Sequence, residues 1–156
     1  MSDASLRQHL LAMLETGHAH VSFETAVRDW DPALRGARPA GGPHSAWQLV
    51  EHLRIAQWDI LEFSKSANHV SPAYPDGYWP TTEAPPSDGA WNESVGRFGA
   101  DLEAMQALVS DPGRDLYARI PHGDGQTLLR EALTLASHNS YHIGQLMVLR
   151  KTLEAG

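Results

Sequence analysis

Four stretches of this chain bring an apolar residue round every three or four positions, and almost everything between them is proline, glycine, aspartate or serine. Packed helices satisfy that pattern. No segment alternates like a half-buried strand, so the expected class is all-α. The first helix is expected from about Ser5 to Arg28, with Leu10, Leu14, Val21 and Thr25 on one stripe and His18 inside it. The string DPALRGARPAGGP then breaks the period. Ser45 is a good N-cap for a second helix, AWQLVEHLRIAQWDILEF, whose buried face is Leu49, Leu53, Ala56, Ile60 and Phe63, with His52 among them. The third helix, about Gly89 to Ser110, has the cleanest period, at Trp91, Val95, Phe98, Leu102, Met105 and Val109. Packing alone accounts for it.

The fourth helix, about Thr127 to Leu153, carries two apolar stripes. Leu128, Ala132 and Leu135 mark one; Leu129, Leu133, Ala136, Ile143 and Met147 mark the other. A helix covered on two sides is central in its bundle, part of a subunit interface, or both, and both together is the expectation. The long connection from about Ala67 to Asp88 holds five prolines and the aromatics Tyr74, Tyr78 and Trp79. A connection of that length is functional or disordered, and its aromatics predict a lid or crossover lying on the bundle.

At 156 residues one domain spanning 1–156 is expected. The formal charge of -7 disfavours a nucleic-acid partner. The start lacks the pattern of a signal peptide, and no apolar run is long enough to span a membrane, so a soluble cytoplasmic protein is expected. There is no cysteine, which excludes disulfides, thiolate metal sites and a cysteine nucleophile; any metal must be held by nitrogen and oxygen.

Nine histidines make that restriction informative. His138 and His142 stand four apart, which on a helix turns both rings to one face. As a bare spacing the motif is weak, and core histidines bonded to carbonyls are the competing explanation. Their stripe, Leu135, His138, His142, Gln145 and Leu149, faces inward, and His52 lies on an apolar face of another helix. Three inward imidazoles without partners would be costly to bury. On one ion they would leave an open position for water or substrate, the arrangement of a catalytic site. His18 is a further candidate, more simply a core residue, and His20 is expected in solvent. His9, His44, His69 and His122 receive no role. Gln145 is a candidate for a hydrogen bond behind a ligand or a contact to substrate, and Glu51 for orienting a partner.

The segments QLVEHLRIAQWDIL and GQTLLREALTLASHNSYHIGQLMVLRKTL, with the HxxxHxGQ pattern at His138, His142, Gly144 and Gln145, resemble the DinB-like superfamily. That resemblance implies a four-helix up-down bundle with a long crossover between helices 2 and 3, usually a homodimer. It also implies a divalent ion, Zn or Ni, on His52, His138 and His142. Relatives of this kind include thiol S-transferases and a thiol-dependent isomerase using low-molecular-weight thiols, and others are described as hydrolases. The family name is no sign of DNA binding. A metal-dependent transferase or hydrolase acting on a small molecule is therefore the leading expectation, and a non-enzymatic metal-binding stress-response or interaction module the alternative. A transferase for an anionic thiol calls for a cation near the metal, for which Arg54, Arg130 and Arg150 are the candidates. A hydrolase calls for a carboxylate within reach of the bound water.

Overall fold

The computed structural model describes residues 3–16 and 19–156. Among these the protein is all-helical: α1 (Ala4–Thr16), α2 (Phe23–Val27), α3 (Ala46–Lys65), α4 (Asp88–Ser110) and α5 (Leu128–Ala155), with two short 3-10 turns and no strand. A lone bridge between Arg119 and Thr127 is all the β pairing there is among the described residues.

The expected first helix is two. Ser22 takes an extended conformation, and its side chain accepts from the Thr25 amide, so a new helix starts there. α2 turns Phe23, Ala26 and Val27 inward, which leaves Val21 and Thr25, placed on the stripe of a continuous helix, exposed. His18 lies outside the described residues. The other three starts follow their caps. Ser45 and Gln48 form a reciprocal box at the head of α3, with Gln48 N to Ser45 Oγ at 3.2 Å and Ser45 N to Gln48 Oε1 at 3.0 Å. Ser87 caps α4 and Thr127 caps α5.

The buried side chains form two clusters. One gathers Phe23 and Val27 of α2, Leu49, Val50 and Leu53 of α3, Trp91 and Phe98 of α4, and Ile143, Leu146 and Leu149 of α5. The other gathers Leu10 and Leu14 of α1, Leu61 of α3, Met105 and Val109 of α4, and Leu128, Ala132 and Leu135 of α5. Thus α3 and α4 both run from the first cluster to the second, and α5 returns from the second to the first. Residues 66–87 join α3 to α4. Arg7 docks α1 on the end of α4 and the turn after it: its guanidinium donates to the carbonyls of Val109 (2.6 Å), in the last turn of the helix, and of Asp111 (3.0 Å) and Arg114 (2.5 Å). Between the clusters the buried Gln57 donates to the Phe98 carbonyl (2.6 Å) and accepts from Asn139 Nδ2 (3.0 Å). No helix among the described residues is long and apolar enough to cross a membrane.

Candidate metal centre

The capping box fixes where α3 begins, and His52 follows two turns later on the face turned to α5. No proline interrupts α5, so His138 and His142 stay one turn apart on its facing side. The result is a cluster in which one ring nitrogen from each of the three lies within 4.8 Å of the others. His52 Nε2 is 3.1 Å from His142 Nε2 and 3.0 Å from His138 Nε2. With metal–nitrogen bonds of about 2.1 Å, two imidazole nitrogens on one ion stand roughly 3.0–3.4 Å apart, for angles from right-angled to tetrahedral. The cluster has the spacing of ligands.

Tautomers decide whether hydrogen bonds alone could explain it. His52 Nδ1 lies 2.9 Å from the Tyr78 carbonyl oxygen, which only accepts, so Nδ1 carries the proton and Nε2 a lone pair. His142 Nδ1 likewise donates to Gln145 Oε1 at 2.6 Å, leaving a lone pair on its Nε2. Two lone pairs therefore face each other across 3.1 Å. His138 Nδ1 is buried without a hydrogen-bond partner, so His138 can place a proton on Nε2 and donate to His52. That proton does not separate His52 from His142. A cation between the three would, and three neutral imidazoles suit a divalent one.

Neutrality is secured by burial. Loss of solvent pulls the His52 and His138 pKa values down to about 4, the neighbouring imidazoles adding to the effect, and burial lowers that of His142 as well. All three are ready to ligate at neutral pH.

Trp79 stacks flat on His52, with centroids 3.9 Å apart and planes at 2°, and its other face carries His44 at 4.1 Å. Beside the cluster lies a cavity of about 440 Å³, walled by Ala56, Asp59, Ile60, Tyr74, Tyr78 and Trp79. Tyr74, Tyr78 and Trp79, from the connection between α3 and α4, thus line the cavity beside the histidines. Burial and the Asp59 carboxylate push the Tyr78 hydroxyl up to about 12, so it stays protonated and donates to Asp59 Oδ2 at 2.6 Å. The other oxygen, Asp59 Oδ1, is 2.7 Å from His69 Nε2.

Of the residues singled out in the sequence, the structure brings together His52, His138, His142 and Gln145. Glu51 is not with them: its carboxylate receives both the Nε and Nη2 donors of Arg54, at 2.7 and 2.9 Å, on another side of α3. Both candidates are thereby engaged away from the cavity. Arg130 pairs with Glu131, and Arg150 with Glu154 and the carbonyls of Ala26 and Arg28. Among the described residues no arginine or lysine lines the cavity. His20, expected in solvent, is exposed but holds Ser140 Oγ at 2.7 Å.

Sequence reasoning passed over Asp59, His69, His44 and the Tyr78 carbonyl. Asp59 had a signal, since it follows His52 by seven residues and so lies two turns along the same face. His69 was set aside as a loop residue, yet its side chain is only 7% exposed. The Tyr78 carbonyl is backbone and leaves no mark in residue identity.

A family model described as the DinB superfamily matches residues 15–146. No curated protein and no solved structure matches the chain.

Proposed function

This chain belongs to the DinB superfamily, and from that premise we propose that it is a metal-dependent enzyme whose single divalent ion, Zn or Ni, is held by His52, His138 and His142. The observation that carries the reading is the pair of lone pairs on His52 and His142, each fixed by a hydrogen bond to the far side of its ring and aimed at one point. A divalent ion there would act as a Lewis acid and lower the pKa of a nucleophile in its open position.

The chain's own groups do the rest. Tyr78 and Gln145 keep two rings in the ligating tautomer. Trp79 excludes water from one face of His52, and Tyr74, Tyr78 and Trp79 offer an apolar wall to an organic substrate. Two reactions were open, and the wall bears on the choice. Among the described residues no arginine or lysine lines it, which favours an uncharged or weakly charged substrate, and with it hydrolysis, over conjugation of an anionic thiol; its one carboxylate, Asp59, is engaged by Tyr78 and His69. The fold reading that accompanies this is a four-helix bundle of α1, α3, α4 and α5 with residues 66–87 as its crossover.

A second reading, a non-enzymatic metal-binding module working through its surface or as a homodimer, draws on a different observation. Leu133, Tyr141 and Val148 are exposed along one side of α5. The readings part at turnover. Tag-free protein analysed by elemental mass spectrometry should carry about one divalent ion per chain, lost in His138→Ala, and a panel of uncharged esters and amides should be hydrolysed only by the loaded protein. Stoichiometric metal without turnover of esters, amides or thiol acceptors would leave the module reading standing. An absence of metal after incubation with zinc, nickel and manganese would end both.

A further inference from the structure

The crossover between α3 and α4 is poorly anchored by its own side chains, because its first half is nearly all in solvent: Val70 is 83% exposed and Tyr74 88%. Such a segment is expected at the low-stability end of a fold. Yet its backbone supplies the one acceptor that sets the tautomer of His52. Something must hold that carbonyl in place.

The later part is tied to the head of α3 through Ser45 Oγ to the Glu83 carbonyl and Trp47 Nε1 to Thr82 Oγ1. The earlier part converges on one side chain. Asp59 sits on α3, buried, two turns from His52, and its two oxygens engage opposite ends of the arc, His69 near its start and Tyr78 next to the metal cluster. Tyr78 is thus held at both of its polar groups. Its hydroxyl donates to Asp59, and its carbonyl accepts from His52 Nδ1. Helix α3 therefore carries both the histidine and, seven residues on, the carboxylate that positions the histidine's partner.

We propose that Asp59 is a positioning residue for the centre: by latching Tyr78 and His69 it holds the crossover closed and keeps the Tyr78 carbonyl on His52 Nδ1, which keeps the His52 Nε2 lone pair turned to the ion. The inference rests on the metal reading above and adds a residue that acts through another. Outer hydrogen-bond partners of metal-ligating histidines are worth roughly 10- to 100-fold in affinity.

The test is zinc affinity by chelator competition on tag-free full-length chains: wild type, Asp59→Ala, Tyr78→Phe, the double variant and His52→Ala. Tyr78→Phe removes only the hydroxyl, so it stays informative should Asp59→Ala fold poorly. Each single change should weaken zinc binding roughly 10- to 100-fold. The double variant should be no weaker than Asp59→Ala, because both cut the same path. The ring Nδ1 proton of His52, seen as a protected resonance in nitrogen-15 spectra of the wild type, should exchange rapidly in both single variants, a change that mere loss of loop packing would not produce. Zinc affinities within twofold of wild type, in a protein whose His52→Ala variant has lost zinc, would overturn the latch and leave the metal site standing. Additive losses in the double variant would also overturn it, since Asp59 would then act independently of Tyr78. A wild type that binds no zinc, nickel or manganese overturns the metal reading, and the latch with it.

Discussion

Protonation governs the three histidines, and its sign follows from burial. Their folded pKa values lie below the ordinary 6.5, at about 4 for His52 and His138, so from pH 6.5 down to about 4 the unfolded chain binds more protons than the native one. Stability therefore rises with pH across that window. Metal-free protein should hold its urea midpoint above pH 6.5 and lose it progressively as pH falls towards 4, and His138→Leu should lose less over the same interval. Equal losses in the two chains would show that carboxylates elsewhere carry the effect. The loaded protein should release its ion in the same acid range, because protons compete for the ligating nitrogens. Removing a ligand acts differently from removing its support. His142→Ala should stay helical and bind no stoichiometric metal, and so lack the stabilisation that excess ion gives the wild type, about 2.7 kcal/mol at a hundredfold over Kd; a thermal scan with and without zinc reads the difference directly. The cluster was legible in the sequence because all three side chains sit on strongly periodic faces. Asp59 and the Tyr78 carbonyl were not, since their roles depend on where a non-periodic connection lies.

Helices were found where their caps are, and the exception is instructive. Ser45, Ser87 and Thr127 each stand just before an apolar period, and each caps the helix that follows. Ser22 stands inside a period that continues through it, and on the stripe Leu14–Val21–Thr25 one helix is expected where the structure has α1 and α2. The break shifts the buried face, with Phe23, Ala26 and Val27 inside and the stripe residues Val21 and Thr25 exposed, and the apolar period alone does not show that. At this scale the least replaceable contact is Arg7, which ties α1 to the end of α4 through three carbonyls at once. Arg7→Met keeps the aliphatic stem and removes those bonds. It should lower unfolding free energy by about 2–3 kcal/mol, the scale of hydrogen bonds to a charged group. Urea unfolding with an unchanged slope checks it, and a loss below about 0.5 kcal/mol would mean that water replaces the guanidinium without cost. Metal content should not change, since Arg7 docks on the second cluster and His52 borders the first.

The whole molecule turns on α5, the one helix with two apolar sides. The first stripe, Leu128, Ala132 and Leu135, is buried in the second cluster. The second stripe is filled within the chain too, Ala136 and Ile143 being buried and Leu129 and Met147 packed against the clusters, so only Leu133 of it is exposed. What stays bare is a further side, where Leu133 is 48% exposed, Tyr141 66% and Val148 68%. Their spacing of eight and seven residues keeps them on one stripe. Beside that stripe a cavity of about 530 Å³ opens towards Pro39, Pro43 and His44, walled from α5 by Tyr141, Val148 and Leu149. A second copy laid on the stripe would meet the same residues in reverse, the self-complementary arrangement of a two-fold dimer. Both stripes read from the sequence are filled inside the chain apart from Leu133, and the exposed Tyr141 and Val148 belong to neither, so the bare side was not legible in the periodicity. A homodimer is the expected outcome in analytical ultracentrifugation at micromolar concentration. Val148→Asp should shift it to monomer, because the axis would bring two carboxylates into an apolar seam, while zinc per chain stays unchanged, since Val148 points away from the histidines. A wild type that sediments as a monomer at every concentration would remove the dimer. Metal lost together with the dimer would mean that each centre depends on the neighbouring copy.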